Sequence, residues 1–99
     1  MNRSREEIAY NLFYHEFGMM DKFAYIKKVM ASCTNQIERS IVNEWGNKVL
    51  WSYYDLFHDR YGEKYGFCEW LYIEKYFFHR TRDITRELTN YKMKLWSES

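Results

Sequence analysis

Five histidine and cysteine side chains in this sequence could bind a metal ion, but their spacing is not that of a metal site. They are His15, Cys33, His58, Cys68 and His79. A zinc site usually begins with a close pair such as C-x-x-C or H-x-x-x-H, because one turn of backbone then presents two ligands together. The sequence contains no such pair. It therefore predicts no metal site.

His58 and Asp59 form a doublet that resembles the one for which the HD family of metal-dependent phosphohydrolases is named. That all-α family also uses an upstream histidine and a downstream aspartate, for which His15 and Asp83 would be the candidates. The resemblance implies a small metal-dependent phosphohydrolase, which is one alternative function. Neighbouring residues point about 100° apart on a helix, so the edge of a surface helix explains the doublet more simply.

Other catalytic signatures are missing from the sequence. Neither cysteine lies in a nucleophile motif, and the glycines at 62 and 66 do not belong to a phosphate-binding G-x-x-x-x-G-K loop. We therefore predict a protein that is not an enzyme and that binds no cofactor.

Glu74 is the acidic residue whose predicted position is hardest to reconcile with an apolar core. On a helix over 67–80 it falls on the apolar side, among Trp70, Leu71, Phe77 and Phe78. A carboxylate is costly to bury alone. We therefore expect Glu74 to meet a cation or hydroxyl donors, or to lie at an interface with another protein.

A group of basic residues near the C-terminus makes a nucleic-acid-binding module the other alternative. The group comprises Arg80, Arg82, Arg86, Lys92 and Lys94. Asp83 and Glu87 dilute its charge, whereas binding dominated by phosphates needs a sustained positive surface. A solvated face of the last helix is the better explanation of this group.

The period of the apolar residues predicts an all-α fold of five or six short helices. The first helix would end near Gly18, the second would begin at Asp21, and the third would run from Asn35 to Gly46. An aromatic-rich helical hairpin would follow over 48–61 and 67–80, before a last helix capped by Thr81 or Asp83. Because Tyr, Phe and Trp also favour strands, the alternative is an α+β fold with an aromatic β-hairpin at 48–78.

Two of these helices have clear apolar stripes. In the second the stripe is Phe23, Ile26, Val29, Met30 and Cys33, and in the last it is Ile84, Leu88, Tyr91 and Leu95. The first helix has a ragged stripe of Ile8, Leu12, Phe13 and Phe17.

Length and composition limit the class of protein. The 99 residues contain no proline and no flexible linker, which predicts one helical domain over 1–99. A net charge of +1 demands no polyanionic partner, and no apolar run is long enough for a membrane span or a signal peptide. Two cysteines are too few for a disulfide framework, which indicates a reducing, cytoplasmic setting.

The aromatic content of 21% exceeds what one small core needs, so we expect a partner protein or a second copy, as in a homodimer, to cover part of it. The predicted partner-binding residues are Trp51, Tyr54, His58, Trp70, Glu74 and Trp96. In size and composition the chain resembles small accessory proteins that viruses and mobile elements use to inhibit host machinery. The leading prediction is thus a small intracellular interaction module that docks on another protein and modulates or inhibits it.

Overall fold

The computed structural model describes residues 5–61 and 67–98, and within these ranges the side chains of residues 5, 6, 8, 9, 61 and 67–70 lie outside the description. Over these described residues the chain forms three long helices: α1 spans Arg5–Ser32, α2 spans Gln36–Tyr61 and α3 spans Phe67–Glu98. The all-α class is confirmed. The prediction of five or six short helices is wrong, and so is the β-hairpin alternative, because residues 48–61 and 67–78 are helical.

The three helices pack against one another in every pair and form a bundle of 55 × 18 × 17 Å, which is elongated rather than compact. The buried apolar core takes residues from all three: Met19, Phe23, Ile26, Met30, Leu50, Phe57, Phe77, Ile84 and Leu88. Both clear stripes of the sequence contribute to it. Tyr91 and Leu95 continue the α3 stripe as half-buried residues packed against this core.

Two glycines explain why the sequence suggested more helices than exist. Gly18 and Gly46 lie inside α1 and α2, and neither has the positive φ of a residue that ends a helix. Each instead lies where a neighbouring side chain approaches the backbone: Tyr53 at Gly18, and Leu88 with Ile26 at Gly46. These glycines allow neighbouring helices to pack closely, and they do not terminate the helices in which they lie.

Thr81 likewise suggested a helix boundary that the structure does not contain at this position. Its side chain is fully buried, and its Oγ1 donates to the carbonyl of Phe77 one turn earlier, at 2.8 Å. The hydroxyl therefore satisfies itself within a continuous helix. The predicted helix start at Thr81 or Asp83 is wrong for this reason.

Capping hydrogen bonds stabilise the end of the bundle where α1 is connected to α2. Asn35 Oδ1 accepts from the backbone N–H of Glu38 at 2.9 Å, and the Glu38 carboxylate accepts from the N–H of Thr34 at 3.2 Å. The helix start predicted at Asn35 is thereby confirmed. At the same end Arg39 donates to the carbonyls of Cys33 and Leu95, each at 3.3 Å, and so joins the carboxyl ends of α1 and α3.

Candidate docking surface between α2 and α3

Three aromatic rings meet where α2 and α3 pack together, and we call them the aromatic triad: Trp51, Tyr54 and Phe78. The ring centroids are 5.2 Å apart for Trp51 and Phe78, and 5.8 Å apart for each of the other two pairs. Trp51 and Tyr54 are half-buried and Phe78 is exposed. The triad is therefore both a packing contact between two helices and part of the surface.

Glu74 lies beside the triad, one helical turn before Phe78. The Tyr54 hydroxyl donates to Glu74 Oε1 at 2.8 Å, which supplies the hydroxyl donor expected from the sequence. His58, one turn after Tyr54 on α2, places its Nε2 4.0 Å from the same oxygen. The Glu74 side chain remains 30% exposed, so its carboxylate is open to a ligand as well as bonded within the protein.

The electrostatic environment keeps the Tyr54 hydroxyl protonated. Burial, the hydrogen bond to Glu74 and the negative charges of Glu74 and Asp55 raise the pKa of Tyr54 to about 12. At neutral pH this hydroxyl is therefore a permanent donor to Glu74.

An open groove of about 1060 Å³ runs along this part of α3. It is lined by Tyr54, Leu71, Tyr72, Glu74, Lys75, Tyr76, Phe78 and His79. Tyr72 is 85% exposed and Leu71 is 48% exposed. Among the described residues that line the groove, apolar and aromatic side chains lie beside one acidic side chain, Glu74, and one lysine, Lys75.

The structure brings together four of the six predicted partner-binding residues: Trp51, Tyr54, His58 and Glu74. Trp96 is exposed but lies 22 residues after Glu74 on α3, about 33 Å along the helix, and is a separate surface. The side chain of Trp70 lies outside the described residues.

Sequence reasoning missed Leu71, Tyr72 and Phe78 as surface residues of the groove. One signal was present: Phe77 and Phe78 are adjacent, so they point about 100° apart on a helix and are hard to place in one narrow core stripe. Phe77 is fully buried and Phe78 is exposed. Adjacent large apolar residues on a helix are therefore a sign of a second apolar face.

A second exposed apolar surface lies on the first half of α1, and we call it the aromatic stripe: Tyr10, Phe13, Tyr14 and Phe17. All four are exposed, and the rings of Phe13 and Phe17 are 5.8 Å apart. At about 100° per residue these positions share the side of α1 opposite its buried residues. The ragged stripe of the first helix grouped Phe13 and Phe17 with Leu12, but the structure separates them: Leu12 packs against the core, whereas Phe13 and Phe17 are exposed.

The basic residues of α3 do not form one continuous surface. Arg80 is paired with Glu16 of α1 through an Nε to Oε1 contact of 2.9 Å, and Arg82 Nε lies 3.6 Å from Asp83. Arg86 and Lys94 are exposed and Lys92 is half-buried. Because helix positions advance by about 100° per residue, these five residues are distributed around the helix.

The residues suggested by the HD doublet are also spread over different environments. His58 Nδ1 lies 3.9 Å from Asp59, His15 is buried with its ring 5.4 Å from that of Phe57, and Asp83 is exposed on α3. Among the residues whose side chains the structure describes, no three His, Cys, Asp or Glu side chains are arranged so that they could hold a metal ion.

In the described part of the chain no helix is both long and apolar enough to cross a membrane. Comparisons with protein-family models, with curated proteins and with solved structures found no match to this chain.

Proposed function

We propose that this protein is a small interaction module that docks the α2–α3 groove onto another protein and thereby modulates or inhibits it. The observation that carries the proposal is the groove itself, where Leu71, Tyr72 and Phe78 are exposed together beside Glu74. Contiguous exposed apolar surface with polar groups at its edge is typical of protein-binding sites. The proposed activity requires binding alone and no catalytic step.

The energetic argument rests on how much apolar surface a partner would remove from water. Fully burying a leucine side chain is worth about 1.5–3 kcal/mol, so covering the exposed half of Leu71 contributes roughly 1 kcal/mol. Tyr72 and Phe78 offer larger areas, and aromatic side chains with a polar atom are frequent anchors at interfaces. A few such anchors are enough for specific binding.

The test uses two substitutions with matched exposure on one helix. Leu71 is 48% exposed and Met93 is 51% exposed, and they lie about 33 Å apart along α3. Leu71→Asp is expected to abolish capture and crosslinking of the partner from extracts of the source cells, whereas Met93→Asp retains both. Circular dichroism checks that both variants are helical. Equal capture by the two variants would contradict docking through the groove.

The nucleic-acid alternative predicts a different result for Arg82→Ala combined with Arg86→Ala. Binding to phosphates releases counterions, so losing two contacts would weaken binding to every sequence and flatten its salt dependence. Under the docking proposal this double variant captures the same partner as the wild type. A steep salt dependence that the double variant reduces, with Leu71→Asp unaffected, would favour the nucleic-acid module instead.

We further propose that the protein self-associates as a homodimer through the aromatic stripe of α1. Four exposed aromatic side chains on one side of a helix are more than a solvated face requires. This surface is distinct from the groove, so a dimer could still bind its partner. A reducing cytoplasmic setting belongs to the same proposal, and Cys33 is a free thiol.

A further inference from the structure

We propose that the groove recognises an arginine side chain of the partner, with Glu74 as its counter-ion and the rings of Tyr54 and Phe78 as its walls. This inference rests on the proposed docking function and specifies the chemistry of the partner. It requires an accessible carboxylate, aromatic faces beside it, and a local charge that favours a cation. Each is present at the α2–α3 surface.

The Glu74 carboxylate is held in place through one oxygen, which leaves the other oxygen for a ligand. Both the Tyr54 hydroxyl at 2.8 Å and the His58 Nε2 at 4.0 Å approach Oε1 of Glu74. Among the described residues, Oε2 is the oxygen left for a ligand. A guanidinium can bond to it and still face the rings, because its donors lie in one plane.

The rings supply the second half of the site. Tyr54 packs on Phe77 and on both other members of the triad, with its ring 6.2 Å from Phe77, so its position does not depend on the ligand. Phe78 is exposed beside it. A cation placed over aromatic faces is attracted to their electron density, and arginine uses this contact more often than lysine does.

Two carboxylates supply negative charge at this point. Burial is the first cause of the raised pKa of Tyr54, and the charges of Glu74 and Asp55 add to it. Lys75 also lines the groove, but it follows Glu74 directly and so points about 100° away on α3. The His58 side chain beside Oε1 is 49% exposed.

The test measures binding of two small probes that differ in charge and hardly in shape. 2-Phenylethylguanidinium is a cation, whereas 2-phenylethylurea is its neutral analogue, and both are titrated into isotopically labelled protein by NMR. We expect the cation to bind about tenfold more tightly than the urea, with shifts at Tyr54, Glu74 and Phe78. Glu74→Gln should remove this preference, and Glu87→Gln, exposed about 20 Å further along α3, should leave it intact.

A second variant separates recognition from structure. Tyr54→Phe removes the hydroxyl that holds Glu74 but leaves the ring and the carboxylate, so it should weaken the preference for the cation less than Glu74→Gln does. The inference is wrong if wild-type protein binds both probes equally, if Glu74→Gln keeps the preference, or if Tyr54→Phe loses it as fully as Glu74→Gln does. Protein capture is measured separately, with Leu71→Asp and Met93→Asp. A failure of the arginine site therefore leaves the docking proposal intact, and a failure of docking is recognised independently of the probe titrations.

Discussion

Gly46 of α2 lies so close to Leu88 of α3 that a Cβ atom on it would come within 2.7 Å of Leu88 Cδ2 and 2.8 Å of Ile26 Cγ2. Leu88 and Ile26 are both fully buried, so neither can move aside freely. At Gly46 side chains of both α1 and α3 therefore pack directly against the backbone of α2. The fit depends on the absence of a side chain at this position.

We expect Gly46→Ala to destabilise the protein. Alanine in a helix interior gains about 1 kcal/mol over glycine, but forcing a methyl group into a packed core costs about 1–3 kcal/mol. With two core side chains in the way, the overlap should prevail and lower the free energy of unfolding by about 1 kcal/mol or more. Urea denaturation measures this, and an increase in stability would show that the helices can separate at low cost.

Gly18→Ala is the matched comparison within the same bundle, and it should behave in the opposite way. The nearest atom to its added Cβ is Cε1 of Tyr53 at 3.3 Å, and that ring is only half-buried. The ring can shift by a few tenths of an ångström, so helix propensity decides. We expect the free energy of unfolding to rise by up to about 1 kcal/mol. A large loss would mean that Tyr53 is held more firmly than its exposure indicates.

Tyr54→Phe should reveal the contribution of the hydrogen bond to Glu74. Losing a bond to a carboxylate that is partly exposed should lower the free energy of unfolding by roughly 1 kcal/mol at neutral pH. The folded-state pKa of Tyr54, about 12, is above the usual value of 10.0, so this residue stabilises the protein below pH 10 and loses that effect as the pH rises towards 12. Tyrosinate absorbance with denaturation at several alkaline pH values checks both. If the two proteins lose stability in parallel over this range, the pKa of Tyr54 is not raised.

His15 should make the protein sensitive to mild acid. Burial, and secondarily the positive charge of Arg60, lower the pKa of His15 below its usual value of 6.5. Its contribution is therefore present above pH 6.5 and is lost as the pH falls through the lowered pKa, because the unfolded chain takes up the proton first. His15→Leu should remove this part of the pH dependence, and Arg60→Gln should reduce it. Denaturation between neutral pH and about pH 5 measures the effect, and identical profiles for all three proteins would contradict it.

The aromatic stripe gives a direct test of self-association. Phe13→Glu together with Phe17→Glu places like charges on the exposed side of α1 and should convert the proposed dimer to a monomer in sedimentation equilibrium. The helical signal should be unchanged, because both side chains are exposed. Met93→Asp is again the control, since it adds charge to a different exposed surface. A wild-type monomer at high concentration would show that the stripe does not associate with itself.

Sequence reasoning was successful for most of the two clear stripes, where the pattern depends on one helix alone. Phe23, Ile26 and Met30 of α1 are buried in the core, and Ile84, Leu88, Tyr91 and Leu95 of α3 are buried in it or packed against it. The cap predicted at Asn35 is also present. It failed at Gly18 and Gly46, because the sequence does not distinguish a glycine that ends a helix from one that admits a neighbouring helix.

The candidate site shows the same limit. Tyr54 and Glu74 were each identified, but their hydrogen bond depends on how α2 and α3 are aligned along their length. The packing of core side chains fixes that alignment, and the stacked rings of Phe57 and Phe77, with centroids 5.1 Å apart, are one such contact between α2 and α3. A contact between residues on two helices is set by such packing, which the periodicity of either helix leaves open.

Arg39 connects two parts of the chain that are far apart in sequence, because its guanidinium binds the carbonyls of Cys33 and Leu95. Helix ends normally fray independently, since their last carbonyls lack partners within the helix. Here, unwinding the carboxyl end of α1 or of α3 breaks one of the two hydrogen bonds of the Arg39 guanidinium. The guanidinium is then less firmly positioned, which weakens its bond to the other helix end. The amide protons around residues 33–39 and 91–98 should consequently exchange with solvent as one cooperative unit.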